Sequence, residues 1–262
     1  MDTWKPMRLE PDRSVEVRIG PLTLWLKRTQ DELHVAADRV PEEGAAAAPG
    51  AEASAAPAGP EGLAWGRWVV GDDGAVVRLV PVMPDRPVVV RPETEVRIPP
   101  GREALFFVSI PVWVRVVAGE GAGLVLGEEP SVRLSNIWFG DLMSGELGYS
   151  VTTRARRVVD ETEDRPHRAV CPVHIRNAAA EVLPIERLCV SAPHLSVYDG
   201  GPRLWTNEVR VTAQGQEQSR IDYAAGPPAG RGAGGLLSGP RTPGATGVLK
   251  RGFGTLKAFA GM

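Results

Sequence analysis

Cysteine is nearly missing from this chain: Cys171 and Cys189 are the two in 262 residues. That is too few for a disulfide framework. Both sit in strand-like apolar runs, where buried free thiols are common. Long apolar runs are missing too. No stretch approaches the ~18 residues of a membrane-spanning helix. The N-terminal MDTWKPMRLEPDR has no apolar core and does not read as a signal peptide. The expectation is a soluble, cytoplasmic protein. Charge of one sign is scarce: a formal net charge of −2 gives no basis for nucleic acid as a partner. Before residue 240, no stretch shows a convincing helical period.

The common catalytic and cofactor signatures are also lacking. The histidines His34, His167, His174 and His194 form no HxxxH, and no CxxC occurs, so no metal is expected. Cys171 and His174 are three apart, which puts them on opposite faces of a strand. There is no G-x-S-x-G elbow, and nothing around Cys171 would lower a thiol pKa. Gly119-Glu-Gly-Ala-Gly123 looks like half of a dinucleotide fingerprint, but the strand-like Leu124-Val-Leu126 follows where a helix is needed. No cofactor is expected.

What is present is β-structure and turns. Val15 to Ile19 and Leu22 to Lys27 flank Gly20-Pro21 as a hairpin. Residues 41–62 are rich in Ala, Pro, Gly and Glu, and read as a flexible insertion. Strand candidates return at Trp65 to Val70, Ala75 to Val82, Val88 to Arg91, Glu95 to Ile98, Leu105 to Ile110 and Val112 to Val117. Later ones are Arg133 to Trp138, Leu147 to Ala155, Ala169 to Arg176, Val182 to Ser191, Leu195 to Tyr198, Leu204 to Thr212 and Gln216 to Tyr223. Strands spaced this closely, with turn chemistry between them, favour sandwiches or barrels. The expected fold is mostly β, as two packed β-sandwich-like units. The first covers 1–130 and the second 131–223, with the boundary near Gly127 to Ser131.

The C-terminal part differs. From Ala224 onward there are five basic residues and no acid, so the tail carries +5 and the body −7. Residues 224–247 are dominated by glycine and proline and read as a disordered linker. In 248–262, Val248, Leu249, Phe253, Leu256 and Phe259 recur at roughly helical spacing among Lys250, Arg251 and Lys257. This predicts a short basic amphipathic helix. Three readings apply to the tail: a solvated linker, an anchor for an anionic membrane surface, or a docking peptide using Lys250, Arg251, Phe253, Leu256 and Phe259.

The densest stretch for chemistry runs from Asn136 to Tyr149, followed by Arg154, Arg156 and Arg157. Asp141 and Glu146 bracket a glycine-containing turn. Paired carboxylates can act as acid and base or hold a hard cation. They can equally serve the turn itself, with Glu146 paired to Arg154 or Arg156. Trp138, Phe139 and Tyr149 suit a core or a ligand face. The candidate ligand-binding set is therefore Trp138, Asp141, Glu146, Tyr149, Arg154 and Arg156, with no catalytic assignment. The first expectation for function is a non-enzymatic binding or assembly module that docks a partner through its surface or tail. The alternative is a small-ligand-binding protein or enzyme using Asp141, Glu146 and Arg154.

The order of several short segments carries a resemblance. These are Val80-Pro-Val82 with Arg86-Pro-Val-Val-Val, Ile110-Pro-Val-Trp-Val, the block Phe139-Gly-Asp to Gly145-Glu-Leu-Gly-Tyr149, Val173-His-Ile-Arg-Asn177, Leu195-Ser-Val-Tyr-Asp199 and Asn207-Glu-Val-Arg-Val. Together they resemble the uncharacterised prokaryotic domain-of-unknown-function family 432, over roughly Ser14 to Tyr223. That family has a Tyr-Gly type turn where this chain has Trp138-Phe139-Gly140, and often a cysteine where it has Gly148. The resemblance implies a fold style and little chemistry. It also points to a membrane partner, a mechanosensitive-type channel or a membrane-surface protein.

Overall fold

The fold was taken from a computed structural model of the chain. It describes residues 3–42, 52–56, 61–71, 75–140, 143, 145–159, 165–214, 218–243 and 248–251, with backbone alone for 52–56, 218 and 248–251. The protein is mostly β, as the patterning predicts. The first strands are β1 (Met7–Arg8), β2 (Ser14–Ile19), β3 (Leu22–Arg28), β4 (Glu32–Arg39), β5 (Glu52–Ala56), β6 (Gly66–Val69) and β7 (Val76–Val82). Then come β8 (Val88–Pro92), β9 (Val96–Ile98), β10 (Glu103–Pro111), β11 (Trp113–Ala118), β12 (Leu124–Pro130), β13 (Ser135–Phe139) and β14 (Glu146–Ala155). The remainder are β15 (Arg168–Asn177), β16 (Leu183–Ile185), β17 (Leu188–Val190), β18 (Val197–Asp199), β19 (Leu204–Thr206), β20 (Val209–Ala213), β21 (Gln218–Tyr223), β22 (Leu236–Ser238) and β23 (Val248–Arg251).

These strands fall into two compact units that interleave along the chain. The first holds Met1–Val82, Pro111–Arg133 and Asp164–His167; the second holds Met83–Ile110, Leu134–Glu163 and Arg168–Met262. The chain thus passes between them repeatedly, where the composition suggests one crossing near residues 127–131.

The first unit is a sandwich. One sheet has the order β1-β7-β11-β12 and the other β5-β2-β3-β4-β6. Alternation explains the packing. In β3, Leu22, Leu24 and Leu26 are fully buried while Thr23 and Lys27 between and beyond them are not. They join Val17, Ile19, Leu33, Val77, Leu79, Val114 and Val116 from both sheets in one apolar core. Each such side chain contributes on the order of 1.5–3 kcal/mol. The β2–β3 turn is Gly20-Pro21, with Ile19 opposite Leu22. Gly20 has φ +58°, which suits the first central position of a two-residue hairpin turn. A Cβ there would lie 2.0 Å from His167 Nδ1, so the close approach also demands glycine. His167 is buried and bonded: its Nε2 lies 3.0 Å from Glu42 Oε1, and its carbonyl accepts from Val112 N and Ser131 Oγ. Arg165 Nη1 donates to the same Glu42 oxygen at 3.1 Å.

The second unit is built on an eight-stranded mixed sheet in the order β22-β18-β19-β15-β20-β21-β23, with β10 also pairing β15. β15 is parallel to both β19 and β20, and nearly every residue in it is buried. Parallel strands covered on both faces read as continuous apolar runs. Two smaller ladders complete the unit: β13-β14-β8-β17 and β16-β9.

Four expectations change. Leu204 to Thr212 is not one strand. Asn207 interrupts it, because its side chain accepts from Ser196 N and donates to Ala224 O, which bends the chain away from the ladder. The insertion at 41–62 contributes β5, whose backbone pairs with β2; alanine and glutamate satisfy a ladder without an apolar face. The linker read as disordered is pinned where it is described. β22 pairs β18, Thr242 N donates to Pro193 O, and Arg241 Nε donates to Met83 O at 2.5 Å. In place of an amphipathic helix, Val248–Arg251 is a strand antiparallel to β21, since an open edge offers the backbone partners that a glycine-rich helix would have to make alone. Residues 252–262 lie outside the described residues.

Candidate functional site

The four-stranded ladder of the second unit carries the site. In it β14 runs parallel to β8, and the register slips. Ser150 is opposite Val89 and Arg154 opposite Arg91, so three residues of β14 face the single Val90. Extra residues bend a strand and re-aim its side chains, and such bulges gather near active sites. β17 pairs β8 from the other side, antiparallel, with Leu188 opposite Val90. Continuing that register by one sets Arg187 beside Arg91. Three neighbouring strands thus place Arg154, Arg91 and Arg187 in one row.

The three arginines line a common cavity of about 280 Å³. Val89, Ile137 and Val151 form its apolar wall, and Ser150 and Thr152 add hydroxyls. Val89 and Ile137 pack with Phe139 and Cys189 in a small apolar cluster, which holds that wall in place. Thr153 also lines the cavity, and its Oγ1 donates to Ser109 O at 3.0 Å. No carboxylate is among the lining residues. Among the described residues, neither Arg91 nor Arg154 has an ion-pair partner. The arrangement is a concave surface rich in guanidinium forks, suited to carboxylate or phosphate oxygens.

The residues singled out from sequence are spread over this ladder. Arg154 lies in the cavity; the other described members are not among its lining residues. Trp138 is 48% exposed on β13, opposite Leu147. Glu146 is half-buried, with Oε1 3.8 Å from the Cys189 thiol. Tyr149 is buried; its hydroxyl donates to Asp85 Oδ1 at 2.8 Å, and the Arg86 guanidinium lies 5.5 Å from the ring centroid. Burial, and then the bond to Asp85, raise the Tyr149 pKa. Arg156 Nε is 3.7 Å from Glu93 Oε1. Asp141 lies outside the described residues, as do Phe253, Leu256 and Phe259 of the tail. Lys250 and Arg251 are described by backbone alone, within β23.

Arg91 and Arg187 were missed. The local signal was an arginine closing the apolar run Val88-Val-Val-Arg91 and another directly before Leu188-Cys-Val190. Neither thiol is among the residues that line the cavity. Cys171 is fully buried in β15, away from the cavity lining, and burial pushes its pKa up to about 12.

The chain matches the family described as protein of unknown function (DUF432) over residues 3–257. It belongs to that family. The match spans both units, so the sandwich and the arginine-lined ladder are parts of one family domain. No curated protein and no solved structure matches the chain.

Proposed function

We propose that this DUF432 protein is a binding module that holds a small anionic ligand in the Arg91–Arg154–Arg187 cavity. One observation carries the reading: Arg154 and Arg91 are directly opposite one another on paired strands. Like charges directly opposite one another on paired strands are destabilising. A bound oxyanion between them turns the repulsion into two charge-assisted hydrogen-bonding partners. The lining supports binding over catalysis. It offers fixed positive charge and hydroxyls, without a carboxylate, imidazole or thiol to move a proton or attack a substrate. This reading follows the sequence-based alternative of a small-ligand-binding protein, and of its Asp141, Glu146 and Arg154 set it retains Arg154.

Calorimetric titration of the full-length protein with phosphate and with succinate tests this. At low ionic strength at least one should bind, and affinity should fall as salt rises. Arg91→Gln and Arg154→Gln should each weaken binding tenfold or more. Unchanged affinity in both variants would overturn the assignment.

A further inference from the structure

The two guanidiniums that face each other narrow the ligand further, on the assumption that the anion reading above holds. Arg91 and Arg154 are directly opposite on neighbouring strands, which run about 4.8 Å apart, so both side chains leave the sheet within reach of one centre. Both are exposed, and neither has an ion-pair partner among the described residues. Arg187 lines the same cavity but has an interaction of its own, so the charge to be matched is that of the pair. A carboxylate has a single charge and its oxygens in one plane; it satisfies one guanidinium fork and leaves the other unmatched. A dicarboxylate has a second charge, but on a different atom further along its chain. A phosphoryl monoester carries about 1.5 to 2 negative charges at neutral pH, and about three acceptor oxygens, on one atom. It matches both arginines from a single centre. Ser150, opposite Val89 on the same face and also lining the cavity, offers a hydroxyl to a further oxygen.

We infer that the Arg91–Arg154 pair recognises a phosphoryl group in its doubly charged form, bridged between the two guanidiniums. The group can come from inorganic phosphate or from a phosphate monoester. The test is calorimetric titration of the full-length protein with orthophosphate, methyl phosphate, sulfate, acetate and succinate, at matched low ionic strength. At about pH 7.5, orthophosphate or methyl phosphate should bind about tenfold tighter than acetate and succinate, and the tighter of the two identifies the source. A second readout is pH. Between about pH 7.5 and about pH 5 a monoester takes up a proton and loses its second charge, whereas arginine does not titrate. The lining comes from Val89 and Arg91 on β8, Ile137 on β13, Ser150 to Arg154 on β14, and Arg187 before β17, with no acid among them. On the same face beyond the lining are Cys189, opposite Val89, and Glu146, whose Oε1 is 3.8 Å from that thiol. Sulfate keeps both charges throughout, so it reports any change in the protein itself. The affinity for methyl phosphate relative to sulfate should therefore fall by about fivefold or more at the lower pH. Both readouts use the wild-type chain. Arg91→Gln and Arg154→Gln should each abolish most of the preference for phosphate over acetate, with a thermal melt to check that the fold is retained. Acetate or succinate binding as tightly as the phosphates, sulfate binding tighter than both, a methyl phosphate to sulfate ratio that does not move with pH, or a preference that survives both variants overturns the phosphoryl inference and leaves the anion site standing. Failure of all five ligands to bind overturns both.

Discussion

Two cross-strand pairs show how differently the two units use arginine. In the sandwich, Arg115 on β11 is opposite Glu128 on β12, and the two form an ion pair at 2.7 Å. In the second unit, Arg154 on β14 is opposite Arg91 on β8, with no acid lining the cavity they share. Both members of each pair are charged and face across one ladder, antiparallel in the first case and parallel in the second. The first pair is settled within the fold. The second has no acid among the residues that line its cavity, the contrast on which the proposed anion site rests. A sheet that tolerates like charges on neighbouring strands gives up stability, and such losses concentrate where a protein acts.

Substitutions in each region test this contrast. The largest effect belongs to the sandwich core. Leu24→Ala removes a fully buried side chain and should cost about 2–5 kcal/mol in chemical denaturation. Ile137→Ala, in the half-buried wall of the arginine cavity, should cost markedly less. Equal losses would mean that the cavity wall is as much a part of the core as β3 is. Next comes the tyrosine at the ladder's other end. Because its folded pKa is raised, the stability that Tyr149 contributes is fully present below its unfolded pKa of about 10 and is lost as pH rises through the folded value. Tyr149→Phe should cost about 1 kcal/mol near neutrality and flatten the alkaline fall. A variant whose stability declines above pH 10 as steeply as the wild type would place that fall elsewhere. The smallest effects separate the two pairs by sign. Arg115→Gln should destabilise by up to about 1 kcal/mol, less for its partial exposure. Arg154→Gln should be neutral or stabilising by a few tenths of a kcal/mol, measured without ligand. Loss of stability in both would erase the distinction.

The strands were largely legible from the chain, because a sheet with one buried face writes a period of two. Leu22, Leu24 and Leu26 announce β3 on their own. β5 was not legible, since Glu52–Ala56 has no apolar alternation and is held by its backbone. The site was legible only at Arg154, in the strand following the dense Asn136–Tyr149 block. Arg91 and Arg187 are far from it along the chain. They reach it through a parallel pairing with a bulge and an antiparallel pairing on the far side of β8, and no local pattern encodes that combination. The acids that drew attention to the block do not line the cavity in the described residues: Glu146 instead faces the Cys189 thiol. The density of polar residues points to the ladder that carries the cavity, and of its described candidates Arg154 lines it.

The interleaving of the units has a consequence for how the protein is made. The sandwich sheet that begins with β1 and β7 is finished only by β11 and β12, and the buried carbonyl of His167 is bonded to Val112 and Ser131. On the ribosome, the N-terminal unit therefore cannot close until residue 167 has emerged. By then β8, β9, β10, β13 and β14 of the other unit are already outside the exit tunnel, without β15 to pair β10, β16 to pair β9 or β17 to pair β8. Each half of the nascent chain waits for the other, with open strand edges in the interval, so a truncation at any single point between residues 82 and 168 leaves both units incomplete.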